Sequence, residues 1–307
     1  MNILVTGGAG FIGSHIVNTY IEAGHSVTVI DNLSSGQLQF LNPKAKFYEM
    51  DILDPKITEI LKSEKINAIN HHAGQISVSE SLTNPLFDAN SNIIGTLQLL
   101  QSAVSLDVEK FIFASTGGAI YGEQNYFPAD EDHPCQPLSP YGISKLAAEN
   151  YLKFFNEQFG LSTTALRYSN VFGPNQNPHG EAGVVAIFCE RLVKDQTPVI
   201  CGDGEQTRDF ISVRDVAQAN LIALDHSCTG TFNVATGKET SINSLAECLL
   251  RVSSKKVSAG HGSARQGDQR RSVIDYKKFH EGFGWQPKVT LEQGLVETYS
   301  FFQNQTP

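Results

Sequence analysis

At 307 residues the chain is long enough for one large core or two modest domains. A hydrophobic content of 40% with 18% charged residues is that of a globular protein and excludes a disordered one. The formal net charge of −9 speaks against nucleic acid or an anionic membrane surface as the main partner, so an anionic ligand needs a local basic pocket. The first predicted element is a buried strand over 2–6, from the apolar run Ile3-Leu4-Val5. A strand starting at residue 2 leaves no room for a signal peptide. Glycines follow at the spacing Gly7-x-x-Gly10-x-x-Gly13, and Ile12, Ile16, Tyr20 and Ala23 then keep a helical period over 11–23. Strand, glycine turn and helix is the context a phosphate-cradling turn needs. The second strand, 26–30, ends in Asp31, eighteen residues after Gly13. A carboxylate there suits the adenosine ribose of NAD, because it accepts from both hydroxyls and repels a 2′-phosphate. A tight turn without a ligand is the alternative use of the glycines.

Further strands are predicted at 45–49, 67–71, 110–115 and 163–168, and helices at 54–63, 85–106 and 141–159. Alternating apolar strands and helices predict an α/β fold, a Rossmann-like doubly wound parallel sheet covered on both faces. The rhythm loosens after Gly173, where 175–183 is rich in Pro, Gly and polar residues. A helix near 184–195, a strand near 198–201 and helices near 212–225 and 241–252 follow, and the tail from 260 is mixed. This divides the chain into a dinucleotide-binding domain over 1–173, with part of 208–235 returning to it, and a smaller α/β substrate domain over 174–307. A substrate cleft is expected between them, at the carboxyl ends of the strands. Cys135, Cys189, Cys201, Cys228 and Cys248 are scattered and form no C-x-x-C pair, so reduced thiols in a cytoplasmic protein are expected and a metal site is not. No apolar run reaches the length that spans a bilayer.

The chemistry concentrates around Tyr141-Gly142-Ile143-Ser144-Lys145. Residues four apart share a helix face, so Lys145 sits beside Tyr141, and an ammonium near a phenol lowers its pKa. Tyr141 is then a candidate proton shuttle. The spacing also occurs in helices that merely bury a Tyr and expose a Lys. Upstream, the strand 110–115 runs into Ser115-Thr116-Gly117-Gly118, which offers a hydroxyl to a reacting oxygen or simply turns the chain.

These segments carry a family resemblance that covers essentially the whole chain. Its motifs are T-G-G-A-G-F-I-G at 6–13, Asp31-Asn32-Leu33, Asp51-Ile52, His71-His72-Ala73-Gly74, Asn92-Ile93-Ile94-Gly95-Thr96, the loop ending Tyr121-Gly122, and Y-x-x-x-K. Arg167 to Pro174, Gly202-Asp203-Gly204 with Arg208-Asp209-Phe210, and Arg265-Gln266-Gly267-Asp268 complete it. The chain resembles the extended short-chain dehydrogenases/reductases and, among them, the NAD-dependent UDP-glucose (UDP-galactose) 4-epimerases. The resemblance implies that Gly7, Gly10 and Gly13, with Phe11 and Ile12 in the same turn, lie against the cofactor pyrophosphate. It places Asp31 and Asn32 at the ribose, Asp51 and Ile52 at the adenine, and Asn92 at the cofactor. Tyr141 would be the catalytic base, Lys145 would bind the nicotinamide ribose and tune Tyr141, and Thr116 would hold the 4-oxygen of the sugar. Asn170, Arg208, Arg265 and Asp268 would hold the substrate diphosphate, and guanidinium suits phosphate oxygens. Ser272, four beyond Asp268, would line the sugar pocket, and its small size leaves room for an N-acetyl group.

Two departures bear on these roles. The Ser/Thr loop has one residue more than the commonest form, so either Ser115 or Thr116 is the catalytic hydroxyl. Ile76 stands where some epimerases carry a lysine. The implied reaction is 4-epimerisation of a UDP-hexose, glucose/galactose or their N-acetyl forms, through a transient 4-keto sugar. UDP-glucuronate 4-epimerisation is a variant. A 4,6-dehydratase would carry an Asp-Glu pair where Gly117-Gly118 stands. A catalytically silent nucleotide-sensing or scaffold protein is the alternative of another class. The long helices 85–106 and 141–159 suit pairing across a two-fold axis, as the family does, so a homodimer is expected.

Overall fold

A computed structural model describes residues 1–179, 183–264 and 269–305. Its first half alternates β1 (Asn2–Thr6), β2 (Ser26–Asp31), β3 (Lys46–Glu49), β4 (Ala68–His71), β5 (Lys110–Thr116) and β6 (Ser162–Tyr168) with helices. The helices are α1 (Phe11–Glu22), α2 (Ile57–Ser63), α3 (Val78–Thr83), α4 (Pro85–Ala89), α5 (Gly95–Ser105) and α6 (Pro140–Phe159). Short strands β7 (Asn170–Phe172), β8 (Val199–Cys201), β9 (Thr207–Arg208) and β10 (Phe210–Ser212) come next, then β11 (Gly230–Val234), β12 (Thr240–Ser241) and β13 (Gly260–Gly262). They are interleaved with α7 (Val184–Val193), α8 (Val213–Ile222), α9 (Ile242–Ser253), α10 (Lys277–Phe283) and α11 (Leu291–Gln305).

Seven strands form one parallel sheet in the order β11-β6-β5-β4-β1-β2-β3. Strand β1 shows how its two faces are filled. Ile3 and Val5 enter one core with Ile16, Val17 and Tyr20 of α1 and Val216 and Ala219 of α8. Leu4, between them, enters the opposite core with Leu99 and Leu100 of α5 and Ala148 and Leu152 of α6. The two-residue period of a strand buried on both sides produces this division. β11 joins the far edge beside β6, so the chain returns to the sheet after leaving it. A third core gathers Phe172 of β7 with Phe188, Leu192, Leu245, Leu249, Leu295 and Tyr299 of α7, α9 and α11.

The predicted helix 85–106 is corrected. Asn84 caps α4 by accepting from the Phe87 N–H, and Pro85 occupies the first turn. A π-helical turn, Asn90–Ile94, then separates α4 from α5. This wider turn carries Asn92 into the interior, where its amide meets Gln75 and Asp88. The predicted helix 54–63 starts later, at Ile57, because the Asp54 side chain accepts from the Lys56 N–H and holds a turn there.

The strand order reverses between β1 and β4, each running outward from there. Crevices of open α/β sheets lie at the carboxyl ends of strands at such a point. The loops after β1 and β4 touch there: a Cβ on Gly7 would lie 2.7 Å from the Ala73 nitrogen.

Candidate active site

The glycine turn is built by close approach. Gly7 takes φ +70°, its N–H donates to Ile30 O at 2.8 Å, and Gly10 donates back to Gly7 O at 3.1 Å. A Cβ on Gly13 would lie 2.9 Å from both the Gly7 carbonyl carbon and Gly8 Cα, so only glycine lets α1 start against the turn. No acidic side chain occupies the first turn of α1, whose N–H groups favour an anion. Phe11 and Ile12 open this helix, and Ile12 packs on the adjoining core.

Asp31 ends β2 and is buried, accepting from Ala9 N at 3.0 Å and Leu33 N at 2.9 Å. Asn32 donates to the Asp51 carboxylate at 2.9 Å, and Ile52 is buried against Gly95 of α5. The glycine turn with Asp31, Asn32, Asp51 and Ile52 forms one wall from the β1 turn to the start of α5.

Ser139 caps α6 by accepting from the Gly142 N–H, and the first turn presents Tyr141. The Thr116 hydroxyl lies beside the Tyr141 phenol and draws its pKa down. Ser115 faces the other way, donating to Glu149 at 2.5 Å. Strand alternation sends the two hydroxyls to opposite sides: Ser115 is tied to α6 and Thr116 faces the phenol. Lys145 is buried on α6, donates to Ala114 O at 3.1 Å, and sits 4.7 Å from the centroid of the Phe113 ring and 5.9 Å from that of Tyr141.

The pKa of Tyr141 corrects the sequence reading. Burial pushes the phenol up to about 12, the Asp88 carboxylate pushes in the same direction, and only the Thr116 hydrogen bond pulls it down. Lys145 does not lower it in the ligand-free chain. Burial instead brings the Lys145 ammonium down to about 8, against the pull of Asp88 and Glu149. Next to this pair, His71 is held by Thr6 at 2.7 Å and Thr96 at 3.0 Å. The His72 ring meets the Tyr168 hydroxyl at 3.0 Å, and burial takes its pKa down to about 3.

A dinucleotide fits this wall. The Gly7–Gly13 cradle gives backbone approach, Asp31 stands eighteen residues beyond it at the end of β2, and Asn92 Oδ1 is buried without a hydrogen-bond partner. Among the described residues no group of three His, Cys, Asp or Glu is placed to hold a metal ion.

The second half supplies the opposite side. Asn170 in β7 is tied to β10 through its N–H to Asp209 O at 2.8 Å. Arg208 in β9 donates to Thr207 O and Gln269 O, both at 2.8 Å. Arg265 and Asp268 lie outside the described residues. Ser272 is buried on a segment that runs along the loop after β5. Gln269 donates to Gly122 O, Val273 accepts from Ala129 N at 3.0 Å, and Ile274 packs on Gly117. That segment therefore reaches the residue next to Thr116.

Sequence reasoning passed over Asp88, Gln75 and Glu149, all buried beside Tyr141 and Lys145. One signal was available for Asp88: an acid four residues before Asn92, on the same face of a predicted helix.

Comparison with known proteins agrees with this arrangement. Residues 3–235 match the NAD dependent epimerase/dehydratase family. A putative UDP-glucose 4-epimerase of Methanocaldococcus jannaschii is 45% identical over 302 residues, covering 98% of both chains. The structure of a Thermotoga maritima UDP-glucose 4-epimerase with UDP-glucose is 47% identical over the full length of both chains, with a TM-score of 0.96. A Methanobrevibacter ruminantium UDP-N-acetylglucosamine 4-epimerase, solved with UDP-N-acetylmuramic acid, is 37% identical over 99% of both chains, with a TM-score of 0.95. With a glycine cradle at the switch point, a Tyr-Thr pair beside it and a match over most of its length, the chain belongs to the NAD dependent epimerase/dehydratase family.

Proposed function

We propose that the protein is an NAD-dependent UDP-hexose 4-epimerase acting on UDP-glucose and UDP-galactose, with room for their N-acetyl forms. The observation that carries this is the cluster of Tyr141, Lys145 and Thr116 at the carboxyl end of β5, beside the switch point that bears the glycine cradle. Residues 1–173, with β11 and the α8 region, hold NAD through Gly7, Gly10, Phe11, Ile12, Gly13, Asp31, Asn32, Asp51, Ile52 and Asn92. Residues 174–307 hold the nucleotide sugar, whose diphosphate is met by Arg208, Arg265 and Asp268 there and by Asn170 at the end of the first domain.

When bound, NAD⁺ supplies the acceptor for the hydride of sugar carbon 4 and gives that hydride back. Tyr141 takes the proton of the 4-hydroxyl as the ketone forms and returns it after the 4-keto sugar presents its other face. Thr116 holds the 4-oxygen at the phenol. Lys145 holds positive charge behind Tyr141. Dehydration is disfavoured by the absence of the Asp-Glu pair, whose place Gly117-Gly118 takes. A silent scaffold reading has no use for the Tyr141, Thr116 and Lys145 cluster.

The protein is further read as a cytoplasmic homodimer. Leu82, Leu86 and Ile94 on the α3–α5 side and Ile143, Phe154 and Phe159 on α6 are exposed apolar residues, which supports an isologous helix-helix contact. All five cysteines are free thiols, the state a reducing compartment keeps.

The purified protein, with no cofactor added, is expected to interconvert UDP-glucose and UDP-galactose, with products identified by NMR. Denaturation is expected to release NAD(H) rather than NADP(H), because Asp31 would repel a 2′-phosphate. Steady accumulation of NADH, or a 4-keto-6-deoxy product, would overturn the epimerase reading.

Ser272 sets the fit of the sugar. UDP-GlcNAc is expected to be turned over by the parent protein, because a small side chain leaves space at carbon 2. Ser272→Tyr is expected to suppress UDP-GlcNAc turnover by about tenfold or more while UDP-glucose turnover changes far less, since closing space discriminates by size. Equal losses on both sugars, measured as kcat/KM, would remove Ser272 from the pocket.

A further inference from the structure

Beneath the Tyr141–Lys145 pair lies a carboxylate that the proposed reaction does not use. Asp88 on α4 is fully buried. Its Oδ1 accepts from Asn92 Nδ2 at 3.0 Å and Gln75 Nε2 at 3.1 Å, and its Oδ2 accepts from Ser144 Oγ at 2.5 Å. Ser144 immediately precedes Lys145. Among the described residues, no hydrogen bond or ion pair joins Asp88 to a cation. A neutral amide would satisfy the same three partners if the Ser144 hydroxyl turned to accept instead of donate. Hydrogen bonding alone therefore does not account for a charged group in this place, where burying one is costly.

The geometry of Asn92 follows from those hydrogen bonds. Asp88 Oδ1 accepts, so Asn92 turns Nδ2 toward it. Its second amide hydrogen goes to Gln75 O at 2.9 Å. Asn92 Oδ1 is thereby fixed toward Gly74. A Cβ on Gly74 would come within 2.5 Å of that oxygen and 3.7 Å of Lys145 Nζ, so the oxygen and the ammonium border the same small space.

We propose that Asp88 is a positioning residue for the proton relay: its carboxylate is seated against the Lys145 turn of α6 through Ser144, where its charge bears on Lys145, and its hydrogen bonds aim Asn92 Oδ1 into the space that Lys145 borders. This rests on the epimerase reading above and deepens it. The charged and titratable groups around Lys145 are few. Asp88 faces it from α4 and Glu149 from its own helix, but Glu149 is already paired with Arg167 at 2.7 Å. His71 and His72 face it from the end of β4, both held neutral by burial. Tyr141 presents its ring. Asp88 is thus the carboxylate near Lys145 that no arginine neutralises, and it favours the protonated form of both Lys145 and Tyr141.

Asp88→Asn tests this, because it keeps size and hydrogen-bonding capacity and removes only the charge. Two readouts are needed. The first is the pH profile of kcat for UDP-glucose. Loss of the charge lowers both pKa values, so the whole profile is expected to move about one unit toward acid, with about tenfold lower turnover on the alkaline limb. The second is NMR titration of the Lys145 side chain in 13C-lysine-labelled protein, assigned with Lys145→Met. Its midpoint is expected to fall by the same amount. Ser144→Ala is the control for a purely structural role: it removes a hydrogen bond to Asp88 and leaves the charge, so both midpoints are expected to stay. Should Asp88→Asn not fold, Asp88→Ser, which leaves room for a water, carries the same readouts. Folded protein with both midpoints unmoved, or a Ser144→Ala profile shifted as far as that of Asp88→Asn, would overturn the proposal. If the parent interconverts no UDP-sugar while the lysine midpoint still moves, the epimerase reading falls and the role of Asp88 stands.

Discussion

Tyr141→Phe is expected to lower kcat by on the order of 10²–10⁴-fold while leaving the fold and the bound cofactor in place. The change removes one oxygen and keeps the ring. The ring is what packs beneath Lys145, 5.9 Å from its ammonium, so the first turn of α6 loses no packing. In the proposed mechanism the lost group moves the proton of the 4-hydroxyl, and Thr116 cannot replace it because an aliphatic hydroxyl ionises far less readily than a phenol. The proposed diphosphate contacts lie outside the first turn of α6, so KM is expected to change little and the loss to fall on kcat. Steady-state kinetics with UDP-galactose, together with the NAD content after denaturation, separate these effects. Turnover close to that of the parent would remove Tyr141 from the mechanism. A loss of bound NAD would show that the hydroxyl serves binding instead.

The cofactor-binding fold was legible because its causes are local. The strand, glycine turn and helix at 2–22 follow from a short apolar run, three glycines and a helical period. Each of these is visible within a dozen residues. Tyr141 and Lys145 were found by helix spacing alone. What the sequence hid depends on contacts between distant segments. The choice between Ser115 and Thr116 turned on β5 extending to Thr116 and on Glu149, 34 residues away, accepting from Ser115. The high pKa of Tyr141 comes from burial, which no spacing reports. Asp88 acquires its role from Gln75 and Ser144, which α6 and the loop after β4 bring to it. β11 returns to the sheet from more than sixty residues beyond its partner β6, and a five-residue strand has too little pattern to announce itself. The tail differs, because its signal was present. Leu295, Tyr299 and Phe302 keep a helical period in α11, but the Glu and Gln residues between them diluted the segment into one that looked mixed.

Arg167→Met is expected to destabilise the protein by about 3–5 kcal/mol, the range for breaking one partner of a buried ion pair. The Arg167 and Glu149 side chains are 6% and 5% exposed, and the guanidinium meets the carboxylate through Nη2 at 2.7 Å and Nε at 3.0 Å. Its Nη1 donates to the Tyr121 hydroxyl at 2.9 Å, which donates to Asn233 of β11 at 2.7 Å. One side chain of β6 thus links α6, the loop after β5 and the returning edge strand. Methionine fills much of the volume and satisfies none of these groups, so Glu149 is left charged and buried with only Ser115 as a donor. That charge would then act on Lys145 and Thr116 from behind, so activity is expected to fall further than the folded fraction does. Adding Glu149→Leu should recover part of the lost stability, because the uncompensated charge is the larger share of the cost. It should not recover all of it, because the buried Ser115 hydroxyl then lacks an acceptor, at about 1–3 kcal/mol. Urea unfolding of the parent, the single variant and the double variant measures each step. A double variant no more stable than Arg167→Met would mean that the loss comes from packing around Tyr121 and Asn233 rather than from the stranded carboxylate.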